Sequence, residues 1–462
     1  MNLYNTKSNQ IEPFIPYNGT VTMYTCGPTV YHYAHIGNLR SYIMEDILEK
    51  SLNFIGYHVK RCMNITDVGH LSSDSDSGVD KMVKGAIREH KTVLEIAQMY
   101  TDAFFNDIEK LNIKKPEIIV PATSCINDYI NIIKELLEKK YAYISNGNVY
   151  FDVSKLDDYY VLTNHKVDEM VVGARENVIE DISKKNQADF VLWFTKSKFT
   201  EQELKWDSPW GYGYPGWHIE CSAISIKYLG EHLDIHCGGV DNIFPHHTNE
   251  IAQSESYLGH PWCNYWFHVE HLNDSKGKMS KSSGEFLTLD LLMKKGYNPL
   301  VYRLFCLLSH YRKQLVFSYE GLDMALNIYN KLISKIKSLK DNHNNINYEI
   351  VDKYTKQFKN SLNNDLNTSL LITTLYDVLK EEVNDETKLH LVKLFDKVLS
   401  LDLLKETSID LDLQEFILKK IDERKIAKIK KDFKLSDQIR KELELKGIYL
   451  NDTREGTTYE IK

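Results

Sequence analysis

The chain has no apolar run long enough to span a bilayer, and residues 1–14 lack a basic start followed by an apolar stretch. Neither a membrane span nor a secretory signal is therefore expected. Cysteine is scarce: seven residues in 462, irregularly spaced and with no C-x-x-C pair. That argues against a disulfide framework, makes a reducing cytoplasm the expected location, and leaves thiols available as core residues or metal ligands. No excess of positive charge is present either. A formal net charge of −8 speaks against a uniformly basic coat for nucleic acid, but not against a local RNA-binding face. No internal repeat is visible, and no Ser-His-Asp or Cys-His pairing advertises a protein nucleophile.

What is present reads as a globular chain, with 42% hydrophobic and 26% charged residues. Its length suggests roughly two to four domains. Residues 20–25 (TVTMYT) predict a buried strand, and Leu39, Ile43, Ile47 and Leu52 recur at helical spacing after Gly37. A second strand is predicted over 58–65. Strand, loop, helix and strand in this order make a βαβ unit, hence an α/β fold with a parallel sheet and ligands at its carboxyl edge. Residues 116–200 change character and read as an insertion, with a helix over 127–139 and a strand over 149–153. The α/β pattern resumes near Trp206, with a strand at 233–237 and a helix from about Thr248. Amphipathic helices fill 300–400, and the last 60 residues read as a lysine-rich helix followed by a short turn-rich tail.

Three clusters carry chemistry. The first, Cys26-Gly-Pro-Thr-Val-Tyr-His-Tyr-Ala-His35-Ile-Gly37-Asn38, lies where a strand gives way to a helix. Gly37 allows close approach to the backbone, His35 offers an imidazole donor, and the free N–H groups of the helix start favour phosphate oxygens. A strand–helix turn with a capping imidazole explains the same residues. The second cluster is Lys278-Met-Ser-Lys281-Ser282, two ammonium groups suited to charge developing on a departing phosphate, or equally a solvated basic loop. The third is dispersed. If a helix starts near Pro245, His246 and Glu250 share one face, and with Cys26 and Cys221 they make a ligand set that zinc accepts. On spacing alone, a core histidine and buried thiols account for these four as well.

The clusters occur in this order in one family. The sequence resembles cysteinyl-tRNA synthetase, a class I aminoacyl-tRNA synthetase, from Tyr4-Asn-Thr6 to Gly456-Thr-Thr458. The stretches that carry the resemblance include Tyr24 to Tyr31, Asn64 to Asp67, Phe190 to Trp193, Ser208 to Gly211, Pro215 to Ala223, Phe244 to His247 and Lys278 to Ser282. The resemblance implies a Rossmann-type catalytic domain in two halves, 1–115 and 201–295, split by the connective insertion 116–200. A stem-contact and helical-bundle region over 296–400 and a small anticodon-binding domain over 401–462 would follow. It implies that Cys26, Cys221, His246 and Glu250 hold one Zn²⁺ per chain. His35, Gly37, Asn38 and Lys281 would contact ATP, which enters with Mg²⁺. His35, Asn38, Lys278 and Lys281 would be catalytic, and Gly27, Thr66, Trp217 and Asp241 would line the L-cysteine pocket. The expected partner is tRNA(Cys), the expected state a monomer, and no editing domain is expected. Cys62, Cys125, Cys237, Cys263 and Cys306 are expected to pack.

Several positions depart from the family pattern. Asn38 stands where a histidine closes the family's HIGH signature, and it can donate to a phosphate but carries no charge. Thr248 stands where an acidic residue is common, Tyr459 where tryptophan is frequent, and the segment after Asp67 lacks the usual acidic run, so no contacts are carried over there. Near the C-terminus, residues 419–446 hold eleven Lys/Arg against six acidic residues, suited to phosphate contacts, with Phe433 available to stack on a base. Two rivals keep part of this reading: a ligase joining cysteine to a small amine, and a non-catalytic zinc-bearing tRNA-binding paralogue.

Overall fold

The computed structural model describes residues 1–68, 92–163, 183–196, 204–274, 277–278, 287–340, 344–405, 411–430, 432–453 and 456–461. It separates into two compact units, Met1–Leu404 and Lys405–Lys462.

The first unit opens with a hairpin, β1 (Asn2–Asn5) and β2 (Gln10–Pro13). The strand β3 (Thr20–Thr25) then leads through a loop to the helix α1 (Ile36–Phe54), which returns to β4 (His58–Ile65). Leu39, Ile43, Ile47 and Leu52 are buried, so the 3.6-residue period read in the sequence is the face that α1 turns to the sheet. The helix α2 (Val93–Lys110) starts at a Thr92–Glu95 capping box and precedes β5 (Ile118–Pro121). The helix α3 (Ile126–Glu138) and the strands β6 (Ala142–Ser145), β7 (Asn148–Phe151), β8 (Phe190–Phe194) and β9 (Tyr214–Pro215) follow. Next come α4 (Trp217–Leu229), β10 (Leu233–Gly239), α5 (Thr248–Leu258), β11 (Cys263–Val269), β12 (Leu272–Asp274) and β13 (Gly277–Lys278).

Five of these strands form one parallel sheet in the order β11-β10-β3-β4-β5. The edge strand β5 lies within the stretch read from sequence as an insertion: Ile118–Pro121 pairs with Cys62–Ile65 and completes the sheet. A second, antiparallel sheet, β6-β7-β8-β9, takes in Tyr214 and Pro215 and so reaches past residue 200. The strand order reverses between β3 and β10, with β4 and β5 on one side and β11 on the other. That switch point opens a crevice at the carboxyl ends of the strands.

The remainder of the first unit is helical: α6 (Leu289–Lys294), α7 (Pro299–Leu307), the short strand β14 (Leu315–Val316), α8 (Tyr319–Lys337), α9 (Tyr348–Asn363), α10 (Thr368–Lys380) and α11 (Asp385–Leu399). Their buried side chains run into the core beneath α1 without a break. Within it, buried Arg303 of α7 pairs with Asp46 of α1 at 2.6 Å and donates to the carbonyls of Leu111 and Leu399. The second unit comprises α12 (Leu411–Ile429), α13 (Phe433–Glu444) and a hairpin, β15 (Ile448–Thr453) with β16 (Gly456–Ile461), around Ile417, Ile439, Leu443, Ile448 and Leu450. The tail read as turn-rich is thus a paired ribbon.

Candidate active site and metal centre

Each element of the switch point ends in a residue that faces the crevice. The β3 backbone continues past Thr25, where the Cys26 amide donates to the carbonyl of Cys237 at 3.3 Å. Gly27 follows, its amide held by Asn64 Oδ1 at 2.7 Å. A Cβ at Gly27 would lie 1.6 Å from the Asn64 carbonyl oxygen, so this close passage of two chains admits no side chain. Thr66 closes β4, bridged to Thr29; its hydroxyl donates to buried Glu220 Oε2 at 3.1 Å and receives the Asn64 amide at 2.9 Å.

Four dispersed residues converge beside it. Ligand atoms of Cys26, Cys221, His246 and Glu250 all lie within 4.8 Å of one another. Cys221 comes from α4, which starts at Gly216 with Trp217 as its first residue. His246 sits in a wide turn, Ile243–His247, that runs directly into α5, and Glu250 in the first turn of that helix. The i,i+4 relation read in the sequence holds in space: His246 Nε2 lies 3.0 Å from Glu250 Oε1 and 3.6 Å from Cys221 Sγ. The Trp217 ring stacks on His246, centroids 4.4 Å apart.

A shell of histidines that the sequence reading did not single out surrounds these four. His218 Nδ1 meets His246 Nδ1 at 2.8 Å, leaving Nε2 of His246 turned toward Cys221 and Glu250. His236 Nε2 contacts Glu250 Oε2 at 2.8 Å. His247 Nε2 is 3.3 Å from Cys26 Sγ, and its Nδ1 meets His268 Nε2 at 2.8 Å. The signals available were the His246-His247 doublet and the isolated His236 and His268 inside strands. What could not be read is that β10 and β11 lie next to β3. Cys26, His236, His247 and Glu250 form a second group within the same 4.8 Å limit. It shares two members with the first, so the pocket has room for one cation, not two.

The electrostatics of the pocket fit a cation. Glu250 is fully buried, and burial pushes its pKa up to about 8 against the opposing effect of His246. The Cys26 thiol is held well above its usual range by a hydrogen bond to Cys221 and by burial, and the Cys221 thiol is raised by burial. Burial pushes His236 and His268 down to about 3 and His247 well below its usual value, so the imidazoles are neutral. Two thiols, a carboxyl and an imidazole converging in a buried pocket are a donor set that zinc accepts. His246 has its far nitrogen braced by His218, the arrangement usual for a metal-bound imidazole. His236 is spent on Glu250, and its Nδ1 lacks a hydrogen-bond partner. The first group is therefore the better ligand set.

The other side of the crevice is the start of α1. His35 is its N-cap: Nδ1 accepts the Asn38 amide at 3.1 Å, and the His35 amide donates to Asn38 Oδ1 at 3.3 Å. Accepting at Nδ1 fixes the proton on Nε2, so His35 presents a neutral N–H donor. Gly37 was expected to admit a ligand to the backbone. A close neighbour on the protein side is His35 itself, whose Nδ1 and Cε1 would lie 2.9 and 3.0 Å from a Cβ at residue 37. Asp241 lies in the turn after β10, half exposed, 3.4 Å from His271 Nε2. The backbone of Lys278 pairs in β13 with Asn273 of β12, whereas Lys281 and Ser282 lie outside the described residues. The other cysteines are buried: Cys237 and Cys306 under α1, and Cys62, Cys125 and Cys263 in the core on the opposite face of the sheet.

Residues 14–327 match the family of the tRNA synthetases class I (C) catalytic domain. The chain is 46% identical to a cysteine–tRNA ligase of Treponema denticola over 99% of both chains. It is 43% identical to one of Borrelia hermsii, covering 99% of this chain and 98% of that one. Two solved structures of Mycobacterium tuberculosis methionyl-tRNA synthetase with methionyl-adenylate share the fold at 11% and 13% identity, with TM-scores of 0.53 and 0.52 over 83% of this chain and 90% of theirs.

Proposed function

The chain belongs to the cysteine–tRNA ligases of the class I aminoacyl-tRNA synthetases, and on that footing we propose that it activates L-cysteine with ATP and esterifies it to the 3′ end of tRNA(Cys), choosing the amino acid through a metal-bound thiolate. The observation that carries the proposal is the meeting of Cys26, Cys221, His246 and Glu250 at the switch point, with Glu250 fully buried among them.

The reaction has two steps in one crevice. A carboxylate oxygen of cysteine attacks the α-phosphorus of ATP, which enters with Mg²⁺; the bond to the β-phosphate oxygen breaks and pyrophosphate leaves. The terminal ribose hydroxyl of tRNA then attacks the carbonyl carbon of the adenylate, and AMP departs. No protein nucleophile is required, so catalysis consists of positioning and charge stabilisation. His35 directs its Nε2–H at the phosphates from the start of α1. Asn38 turns its Oδ1 onto the His35 amide, which leaves its NH₂ as a neutral donor on the same side. Lys278 and Lys281 are assigned to the charge that builds on the departing pyrophosphate. Thr66, Gly27, Trp217 and Asp241 are assigned to the walls of the cysteine pocket.

The metal answers a selectivity problem. Serine differs from cysteine only by oxygen for sulfur, and an apolar pocket separates near-isosteres by about 1–3 kcal/mol. A zinc ion on Cys26, Cys221, His246 and Glu250 would supply a soft Lewis acid that prefers a thiolate to a hydroxyl. The chain's own part is to hold the four donors in place: His218 braces His246, His236 orients Glu250, and His247 faces Cys26.

The reading is tested by cysteine-dependent ATP–pyrophosphate exchange and by charging of tRNA(Cys), with bound zinc counted. Cys26→Ser should lose zinc and, with it, the preference for cysteine over serine. Unchanged zinc content and unchanged selection in that variant would refute the assignment.

A further inference from the structure

Three arginines are buried to the point of having essentially no exposed surface: Arg40, Arg61 and Arg303. Two of them are neutralised by carboxylates. Arg61 Nε lies 2.9 Å from Glu49, and Arg303 pairs with Asp46. Arg40 differs. Among the described residues it forms no direct ion pair, with Glu270 acting on it only through its field, and it donates to four backbone carbonyls: Nη1 to Glu270 at 2.7 Å and His271 at 2.6 Å, Nη2 to Lys313 at 2.7 Å and His310 at 3.3 Å.

The positions of those carbonyls give the guanidinium its meaning. Glu270 and His271 lie immediately before β12, and His310 and Lys313 lie in the loop that leads into β14. The strands β12 and β14 are paired with each other, and β12 carries β13, whose last residue is Lys278. Arg40 itself stands on α1 two residues beyond Asn38. One planar group thus ties the start of α1 to the three-stranded sheet that carries the Lys278 backbone. The Tyr302 hydroxyl, donating to the Ile36 carbonyl at 2.6 Å, and the Ile36 amide, donating to the Leu287 carbonyl at 2.9 Å, anchor the same first turn. A fork with two N–H arms spans both strand entries at once, which a single ammonium cannot do.

We infer that Arg40 is a positioning residue for the activation step, setting the distance between the phosphate-facing start of α1 and the strands that carry Lys278. The inference rests on the functional reading above, but it concerns the frame and not a substrate contact. Its consequence is selective. Loosening this joint displaces the two phosphate-binding walls relative to each other, whereas the cysteine and metal side of the crevice, built from β3, β4, β10, α4 and α5, keeps its geometry. A displacement near 1 Å costs about a hundredfold in rate.

The test compares the intact chain with Arg40→Lys and Arg40→Gln, and with Arg61→Lys as an equally buried control. Pyrophosphate exchange, bound zinc, the KM values for ATP and cysteine, and backbone hydrogen exchange are measured. The Arg40 variants should lose about a hundredfold in kcat, with the cysteine KM and zinc content unmoved. Their amides at Leu315 and Phe317, which bond to the His271 and Asn273 carbonyls, should exchange faster while those of β10 and β11 do not. Arg61→Lys should lower the melting temperature without that loss of kcat. An unchanged kcat in Arg40→Lys, an equal loss in Arg61→Lys, or a parallel loss of zinc and cysteine binding overturns the inference. So does failure of both Arg40 variants to fold while Arg61→Lys folds, which assigns Arg40 to stability alone. Absence of cysteine-dependent exchange in the unaltered chain is a distinct result and refutes the functional reading itself.

Discussion

At Gly37 a hydrogen in place of a side chain decides where the His35 ring can lie. Replacing Gly by Ala inside a helix ordinarily stabilises it by about 0.5–1 kcal/mol. Here the new methyl would press on the imidazole at 2.9 Å, and relief requires the ring to leave its capping position. Gly37→Ala is therefore expected to keep or raise the melting temperature while exchange falls by about a hundredfold to a thousandfold, the scale of losing one donor to developing charge. An activity loss that follows a stability loss would contradict this account. The same residue shows how far sequence reading goes. That a glycine matters after His35 and that the imidazole could cap the helix were both visible; how tightly the His35 ring sits over residue 37 was not, because a distance of 2.9 Å leaves no trace in spacing. Of the four proposed metal ligands, the i,i+4 pair His246 and Glu250 was legible in the spacing, whereas choosing a metal over a core histidine and buried thiols rested on the family resemblance. The neutral imidazoles that orient them were not, since His236 read as an ordinary strand residue and nothing marked His268 until β10 and β11 are set beside β3.

Elements with a strong local period were read well: β3, α1, β4, α3, β10 and α5 fall where apolar spacing puts them. Pairing between distant segments was not. The strand β5 is four residues long, and nothing within it announces that it borders β4. The terminal hairpin was missed for a similar reason, its pairing lying in cross-strand contacts. The lysine-rich stretch needed the structure in a different way, because its charges divide into two kinds. Buried Arg424 grips Asp452 with two bonds, of 2.8 and 3.0 Å, and Lys428 reaches the same carboxylate at 2.8 Å, so these residues fasten the hairpin to α12. Lys420 is shared between Glu442 and Glu423. Lys425, Lys430 and Lys434 are exposed and form no ion pair among the described residues. Neutralising any of these three should lower the slope of log affinity for tRNA against log salt by about 1 and leave the melting temperature alone. Asp452→Asn should do the reverse. Equal slopes in all variants would remove α12 and α13 from the RNA interface.

The whole molecule consists of two units, and the two reaction steps make different demands on them. All residues assigned to adenylate formation, from Cys26 to Lys281, lie within Met1–Leu404, whose core runs unbroken from the sheet into the helices. Lys405–Lys462 has a core of its own, and none of the residues assigned to adenylate formation lies in it. What it offers is exposed lysine and the Phe433 ring, 64% exposed, the combination that takes phosphates and splayed bases. A chain ending at Leu404 should then carry out cysteine-dependent pyrophosphate exchange with kcat within about twofold of the full chain. Its charging of tRNA should fall much further. Base stacking on an aromatic ring is worth about 1–3 kcal/mol, so losing one or two such contacts corresponds to about a hundredfold in kcat/KM for tRNA. Measuring both reactions on one preparation separates the possibilities. If exchange vanishes with the last 58 residues, the first unit does not hold its active crevice alone. If charging survives intact, recognition of the tRNA resides in the helices α7 to α11 and the terminal unit has another purpose.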